Sequence, residues 1–340
     1  MIRTIKKAEA TRPYNIQDLP PLIVGGAVFN NQYSTNPHNL PVKDILTLAF
    51  QHGLNAIDTS PYYGPSEEIL GQALQKVEFA RENYFICTKA GRVKLDDFDY
   101  SRENVRRSVE RSLKRLNTDY LDLVYMHDIE FVEEAQIYEA LEELKALKEE
   151  GVVKNFGISG YPIKFLYKIA LGCKEGPVGP LDAILSYSNG CIQNERLFEM
   201  YDRFIDECQV KKVMNGSILS MSLLRSELTH SFHPASQALK DKVFDIAAEL
   251  KEEGVELADL ATRFALKRWL FDGDQQSNRN SVVLGVSNIA ELKVALDSYW
   301  QVKENAEGIN EKDVPLYERV KKLLGEHFNE TWESGIAGRG

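Results

Sequence analysis

Cysteine is scarce in this chain of 340 residues: Cys87, Cys173, Cys191 and Cys208, none in a Cys-x-x-Cys pair. That excludes a disulfide scaffold and a thiolate zinc cluster, and it points to a reducing, cytoplasmic setting. Histidine is nearly as rare, at six. No His-Glu-x-x-His occurs, and His230 and His233 run into Pro234 with no glutamate between them, so no metal site is expected. No apolar run approaches the ~20 residues of a membrane helix. Residues 1–20 lack the apolar stretch of a secretory signal. Basic side chains are outnumbered, 41 Lys and Arg against 51 Asp and Glu, for a formal charge of −10. Such a surface repels phosphate backbones and anionic lipid, which argues against nucleic acid and membranes as partners. A globular composition remains, 43% apolar and 27% charged, and a small molecule is the expected partner.

The dominant positive feature is alternation. Eight short apolar or β-branched runs lie at 22–24, 54–57, 84–87, 121–125, 153–156, 182–185, 213–215 and 282–284. Most start about 30 residues apart, the length of one strand, one helix and two loops. Ser101 can cap a helix whose Val105, Val109, Leu113 and Leu116 form one stripe. Ile137, Leu141, Leu144 and Leu147 form the next, stopped by Gly151. The wide final gap holds helical stretches at 237–253 and 257–271, then a polar surface loop at 272–280. Eight βα units close most economically as a (β/α)8 TIM barrel. The chain is read as one domain over 1–340, with the barrel at 21–299 and a C-terminal helix and tail, 300–340, over the active-site face. An open doubly wound sheet would show Gly-x-Gly-x-x-Gly after its first strand, and Gly25-Gly26-Ala27-Val28 lacks that spacing.

Chemistry in such barrels gathers where strands end. Past the apolar runs stand Asp58-Thr59-Ser60, Thr88-Lys89 and His127-Asp128, at the ends of three consecutive strands, with Tyr63 five residues beyond Asp58. A phenol titrates near ~10, too high for proton transfer at neutral pH. A lysine cation ~4 Å away contributes about 1 kcal/mol in water but roughly 4 kcal/mol at an effective dielectric of 20. Lys89 is therefore expected to lower the Tyr63 phenol in a partly closed pocket. Asp58 is expected to hold Lys89, and His127 to orient the reacting oxygen. The set suits hydride transfer between a nicotinamide and a carbonyl or hydroxyl carbon.

The segment Asn55-Ala56-Ile57-Asp58-Thr59-Ser60-Pro61-Tyr62-Tyr63-Gly64 resembles the aldo-keto reductase family. So do Ile86-Cys87-Thr88-Lys89, the stretch from Ser112-Leu113-Lys114-Arg115-Leu116 to His127, and Gly157-Ile158-Ser159. The resemblance implies a catalytic tetrad of Asp58, Tyr63, Lys89 and His127. It implies nicotinamide-cofactor contacts from Gly26, Ser159, Gly160, Ser186, Ser217, Leu219, Gly285, Ser287 and Glu291. Three positions depart from the family pattern: Gly160 replaces an asparagine, Ser186 a glutamine, and Gly216 an aromatic residue. With His233-Pro234-Ala235 and Trp332-Glu333-Ser334-Gly335-Ile336, these departures resemble the sugar-oxidising branch. That branch implies oxidation of the anomeric hydroxyl of a D-arabinose-like aldose, L-fucose or L-galactose to its lactone, on a route to an ascorbate-like acid. A carbonyl or pyridoxal reductase and a nucleotide-sensing regulatory barrel are the competing readings.

NADP-preferring members carry a lysine and an arginine where this chain has Gly285 and Glu291. A carboxylate accepts from a ribose 2′-hydroxyl and repels a 2′-phosphate, so NAD is the expected cofactor. Phe29, Tyr62, His127, Asn189 and Trp332, with Asn30 beside Phe29, are expected to line the sugar pocket, under the tail as a lid.

Overall fold

The computed structural model describes residues 3–5, 15–272 and 278–339. Eight parallel strands close a barrel: β1 (Leu22–Gly25), β2 (Ala56–Asp58), β3 (Phe85–Ala90), β6 (Leu123–His127), β7 (Phe156–Gly160), β8 (Ala183–Tyr187), β9 (Lys212–Gly216) and β10 (Asn280–Gly285). A small antiparallel hairpin, β4 (Arg92–Lys94) and β5 (Asp97–Phe98), leaves the end of β3. Helices α1 (Val42–Gln51), α2 (Ser66–Leu74), α3 (Arg102–Leu116), α4 (Glu134–Glu149), α5 (Ile163–Glu175), α6 (Arg196–Asp202), α8 (Leu257–Leu266) and α9 (Ile289–Glu304) follow successive barrel strands. Two more, α7 (Gln237–Glu252) and α10 (Ala306–Leu324), are additions.

Two-residue alternation along each strand decides what lies inside. Leu22, Val24, Ile57, Ile86, Val124, Ile158, Ile184 and Val213 pack outward in the main core with the helices. Ile23, Ala56, Phe85, Cys87, Leu123, Tyr125, Ala183, Leu185 and Met214 fill the barrel interior as a second cluster, floored by Ile16 and Leu19. Continuing the inward series two residues toward the C-terminal rim reaches Asp58 from Ala56, Lys89 from Cys87, His127 from Tyr125 and Tyr187 from Leu185. One step the other way from Met214 reaches Lys212, whose Nζ donates to the carbonyls of Leu19 at 2.9 Å and Asn278 at 2.8 Å near the floor. The alternation that packs the core thus delivers the polar residues to the rim.

All eight expected strands exist, though their polar ends belong to the strands rather than following them. The run at 153–156 is shifted most: Val153 makes only an isolated bridge to Leu121, and the strand starts at Phe156. The polar segment at 272–280 ends sooner than expected, because Asn280 opens β10, buried, with its Nδ2 donating to Trp269 O at 2.9 Å. Positions 273–277 lie outside the described residues. The tail crosses the C-terminal rim as expected. Asn329 N donates to Gln193 O at 2.8 Å, Ser334 Oγ to Glu130 Oε1 at 3.0 Å, and Ile336 N to Glu130 O at 2.9 Å.

Helix α2 packs so closely on the end of α3 that a Cβ at Gly71 would overlap the Arg115 carbonyl oxygen. Backbone, unlike a side-chain tip, has no rotamer to move into. Gly71→Ala is expected to lower stability by about 2 kcal/mol, measured as a reduced urea midpoint with an unchanged slope.

Candidate active site

Lys89 reaches the rim from inside the barrel with 1% of its side chain exposed. Its Nζ donates to Asp58 Oδ1 at 2.5 Å and Thr59 O at 2.9 Å, and lies 4.9 Å from the centre of the Tyr63 ring. Burial alone would lower the ammonium. The charge and hydrogen bond of Asp58, with help from Tyr63, reverse this and hold it above its ordinary value. Asp58 is itself pushed up by burial, which Lys89 only partly offsets.

Tyr63 is placed by a tight turn: its N–H donates to Ser60 O at 3.0 Å, Ser66 N donates to Tyr63 O at 3.2 Å, and Gly64 supplies a φ of +57°. The residue as a whole is half-buried, but its phenol end is tightly enclosed. Burial raises the phenol to about 12, against the pull of Lys89 and with added push from Asp58 and Asp128. Lys89 thus acts on the phenol in the expected direction, but burial outweighs it and the phenol does not move toward neutrality. The carboxylate that keeps Lys89 charged also cancels part of its field at Tyr63.

His127 stands with its ring perpendicular to that of Tyr63, centres 5.6 Å apart. Burial, then the charges of Lys89 and Arg92, lower it well below the usual imidazole value, so it is neutral. Ser60 Oγ accepts the Tyr62 N–H at 3.1 Å and lies 3.0 Å from His127 Nδ1. With its hydroxyl hydrogen directed to Nδ1, the ring hydrogen of a neutral His127 is on Nε2; with Nδ1–H donating to Ser60 instead, Nε2 is bare. Tyr100 OH donates to His127 O at 2.6 Å and fixes the strand end.

The expected cofactor residues lie along the same rim. A Cβ at Gly26 would come within 2.8 Å of Ser66 Oγ, so the backbone there is closely approached. Ser159 Oγ donates to Met126 O at 3.2 Å, and Ser186 Oγ accepts from Asn189 Nδ2 at 3.0 Å. After β9, Ser217, Ser220, Met221 and Ser222 all take left-handed φ values, with Ser217 Oγ accepting Met221 N–H at 2.8 Å and Leu219 partly buried between them. At the start of α9, Glu291 accepts Ser287 N–H at 2.7 Å and Asn288 Nδ2 at 2.8 Å. Buried Ser188 Oγ, Ser220 Oγ and Glu130 Oε2 have no hydrogen-bond partner among the described residues. Unpaired buried acceptors and donors along one rim fit a polar ligand such as a dinucleotide.

The expected substrate residues divide. Tyr62 is half-buried, its ring centre 5.8 Å from that of His127. Trp332 stacks on Tyr161 at 4.4 Å between centres and meets His233 edge-on. Phe29 is a correction: it is wholly enclosed in the main core, because the turn after β1 folds it inward. Asn189 is another. Its Nδ2 is spent on Tyr161 O, Ser186 Oγ and Tyr187 O, which shapes the loop after β8. Asn30 caps its own turn, accepting Gln32 N–H at 2.6 Å. His233 is also structural: its Nε2 lies 2.8 Å from Ser220 O and its Nδ1 accepts Ala235 N–H.

The sequence places Ser60 and Asp128 at strand ends but gives them no role, while Arg92 on the hairpin and Glu130 go unread. Glu130 is fully buried, and burial together with the charge of Asp128 raises its carboxyl to about 8. Its Oε1 accepts Tyr161 N–H at 3.1 Å, while Oε2 fills the space a Cβ at Gly160 would need. A longer side chain at 160 would therefore have to displace the Glu130 carboxyl.

Residues 21–312 match the model of the aldo/keto reductase family. The chain is 50% identical to D-arabinose 1-dehydrogenase of Saccharomyces cerevisiae over 333 residues, 96% of this chain and 97% of that protein. It is 34% identical to L-galactose dehydrogenase of Arabidopsis thaliana over 297 residues, 85% of each. Among solved structures, the glycerol dehydrogenase of Gluconobacter oxydans superposes with a TM-score of 0.63 over 93% of this chain and 94% of that one; at 19% identity this likeness concerns the fold alone.

If Ser60 sets the imidazole tautomer, Ser60→Ala should move the His127 ring-nitrogen NMR shifts away from the Nε2–H form. Turnover should fall about tenfold, with the melting temperature little changed.

Proposed function

The chain belongs to the aldo/keto reductase family, and on that premise we propose that it oxidises the anomeric hydroxyl of an aldose, D-arabinose or a close relative, to the aldonolactone with NAD. The observation that carries this reading is the buried Lys89–Asp58 pair set against Tyr63 and His127 at one rim. The two sugar dehydrogenases among its relatives supply the substrate class. Four free, buried cysteines support a reducing, cytoplasmic location. Among the described residues no helix is long and apolar enough to cross a membrane.

In this reading His127 Nε2–H donates to the anomeric oxygen and orients it. Tyr63 takes the hydroxyl proton, as phenolate, while Lys89 stays protonated beside it and stabilises the negative oxygen. Asp58 acts through Lys89, holding its charge. A nicotinamide, when bound, would supply the acceptor for the hydride of the anomeric carbon. Ser159, Gly160 and Ser186 would hold its amide end, residues 217–222 its phosphates, and Gly285, Ser287 and Glu291 its adenosine ribose.

Preference for NAD is supported by two features of that last region. Glu291 is pinned at the start of α9 by Ser287 and Asn288, and a carboxylate held there would repel a 2′-phosphate bound at this end of the rim. A Cβ at Gly285 would come within 2.9 Å of Val28 Cγ1, which leaves little room for a lysine.

The direct test is NAD reduction across a panel of aldoses with the Tyr63→Phe variant as control; that variant should lose about 10³-fold or more in kcat. Absence of turnover with every aldose would overturn the reading. Because Tyr63 is protonated until about pH 12, its base form grows about tenfold per pH unit. Oxidation should therefore accelerate from pH 7 toward 9 with a slope near one, while carbonyl reduction, which uses the phenol, should not. Glu291→Arg should raise the ratio of kcat/KM for NADP over NAD by about tenfold or more. It should also cost roughly 1 kcal/mol of stability from the lost helix-start bonds.

A further inference from the structure

The wall beside His127 contains an ion pair that the hydride chemistry leaves unused. Arg92 projects from the β4–β5 hairpin into an aromatic frame, its guanidinium carbon 3.9 Å from the centre of the Tyr62 ring, 5.2 Å from that of Phe98 and 5.5 Å from that of Phe131. It donates to Leu95 O at 3.1 Å and, through Nη1, to Asp128 Oδ2. Only 12% of the Arg92 side chain and 4% of that of Asp128 are exposed. Asp128 follows His127 directly and takes a left-handed φ of +56°. That turn brings Oδ2 to 3.5 Å from His127 Nε2, the atom assigned above to the anomeric oxygen.

A buried ion pair is a poor device for stability, since apolar packing of the same volume does as well or better. A non-glycine residue in the left-handed region adds strain, of a kind that concentrates at ligand sites. Both features are accounted for if the pair faces a ligand. The adjoining groups are also polar: Tyr187 of β8 interacts with Asp128, Glu130 and Arg92, and Ser334 of the tail bonds Glu130. Aldose rings present neighbouring hydroxyls, each at once donor and acceptor, and a carboxylate beside a guanidinium satisfies both halves.

We propose that Arg92 and Asp128 form a hydroxyl clamp that determines specificity for the aldose, Asp128 accepting from the ring hydroxyl next to the anomeric carbon and Arg92 donating to its oxygen. The proposal rests on the aldose-dehydrogenase reading above. Hydrogen bonds of about 2.7–3.0 Å from His127 Nε2 and Asp128 Oδ2, atoms 3.5 Å apart, reach oxygens on neighbouring carbons. The clamp therefore reads the 2-hydroxyl, and the hairpin is its support.

The test compares kcat/KM for D-arabinose with that for its 2-deoxy counterpart, in the full-length wild type and in Asp128→Asn, Arg92→Lys and Arg92→Met. Wild type is expected to prefer the 2-hydroxy sugar by about 100-fold or more, since a site built for a hydroxyl rejects the analogue lacking it. In each variant the preference should shrink to about tenfold or less, chiefly through a higher KM for D-arabinose. Arg92→Lys keeps the charge and loses the fork, so it carries the test should Asp128→Asn fold poorly. A preference that survives in the folded variants, or a wild type with equal activity on both sugars, overturns the clamp and leaves the dehydrogenase reading standing. A wild type that oxidises no aldose brings down both.

Discussion

The site depends on one contact, the 2.5 Å bond between Lys89 Nζ and Asp58 Oδ1 inside a barrel that gives the ammonium almost no water. Lys212 shows what the same fold does to a lysine without such a partner. It also points into the barrel, at the opposite end, and is held only by two backbone carbonyls. Burial brings it down to about 7, with Cys87 and Asp18 resisting only weakly. Two inward lysines share one interior, and only the one with a carboxylate keeps its proton securely. The electrostatic asymmetry of the barrel, charged at the rim and near neutrality at the floor, follows from that single pairing.

The pairing has a consequence for Tyr63. A bare ammonium in an enclosed site would draw the phenol down strongly, but a carboxylate beside it turns the charge into something closer to a dipole. Burial then wins, and the phenol holds its proton. His127 is forced the other way, first by burial and then by the charges of Lys89 and Arg92, and it loses its proton. At neutral pH the resting site therefore offers a protonated phenol, a neutral imidazole and a fixed cation.

The barrel was legible in the sequence because period-two burial and thirty-residue spacing are both written in residue type. The positions of Asp58, Lys89 and His127 were legible for the same reason, as inward-facing residues one step beyond the apolar series. What was hidden depends on contacts between distant segments. Glu130 carries no local signal of its burial, because the tail, through Ser334 and Ile336, closes over it from some two hundred positions away. Phe29 looked available for a ligand because nothing local says which way a turn after a strand will fold. Arg92 lies on a hairpin too short to leave a periodic signal, and its orientation is set by Phe98 of the same hairpin together with Tyr62 and Phe131 from two distant segments.

A phenol near 12 is a poor base for an ordinary alcohol only if the alcohol is much less acidic still. An anomeric hydroxyl differs, because the ring oxygen on the same carbon withdraws electron density and makes it a better acid than any other sugar hydroxyl. Proton transfer is most efficient when donor and acceptor are matched, since neither direction then carries a large thermodynamic penalty. A site that buries its tyrosine deeply and moderates the neighbouring ammonium with Asp58 is thus closer in proton affinity to a hemiacetal than to a simple alcohol or a carbonyl oxygen. Under the aldose reading proposed above, enclosure by the 59–65 turn and the rim would therefore match the tyrosine to an anomeric hydroxyl before the rest of the ring is met.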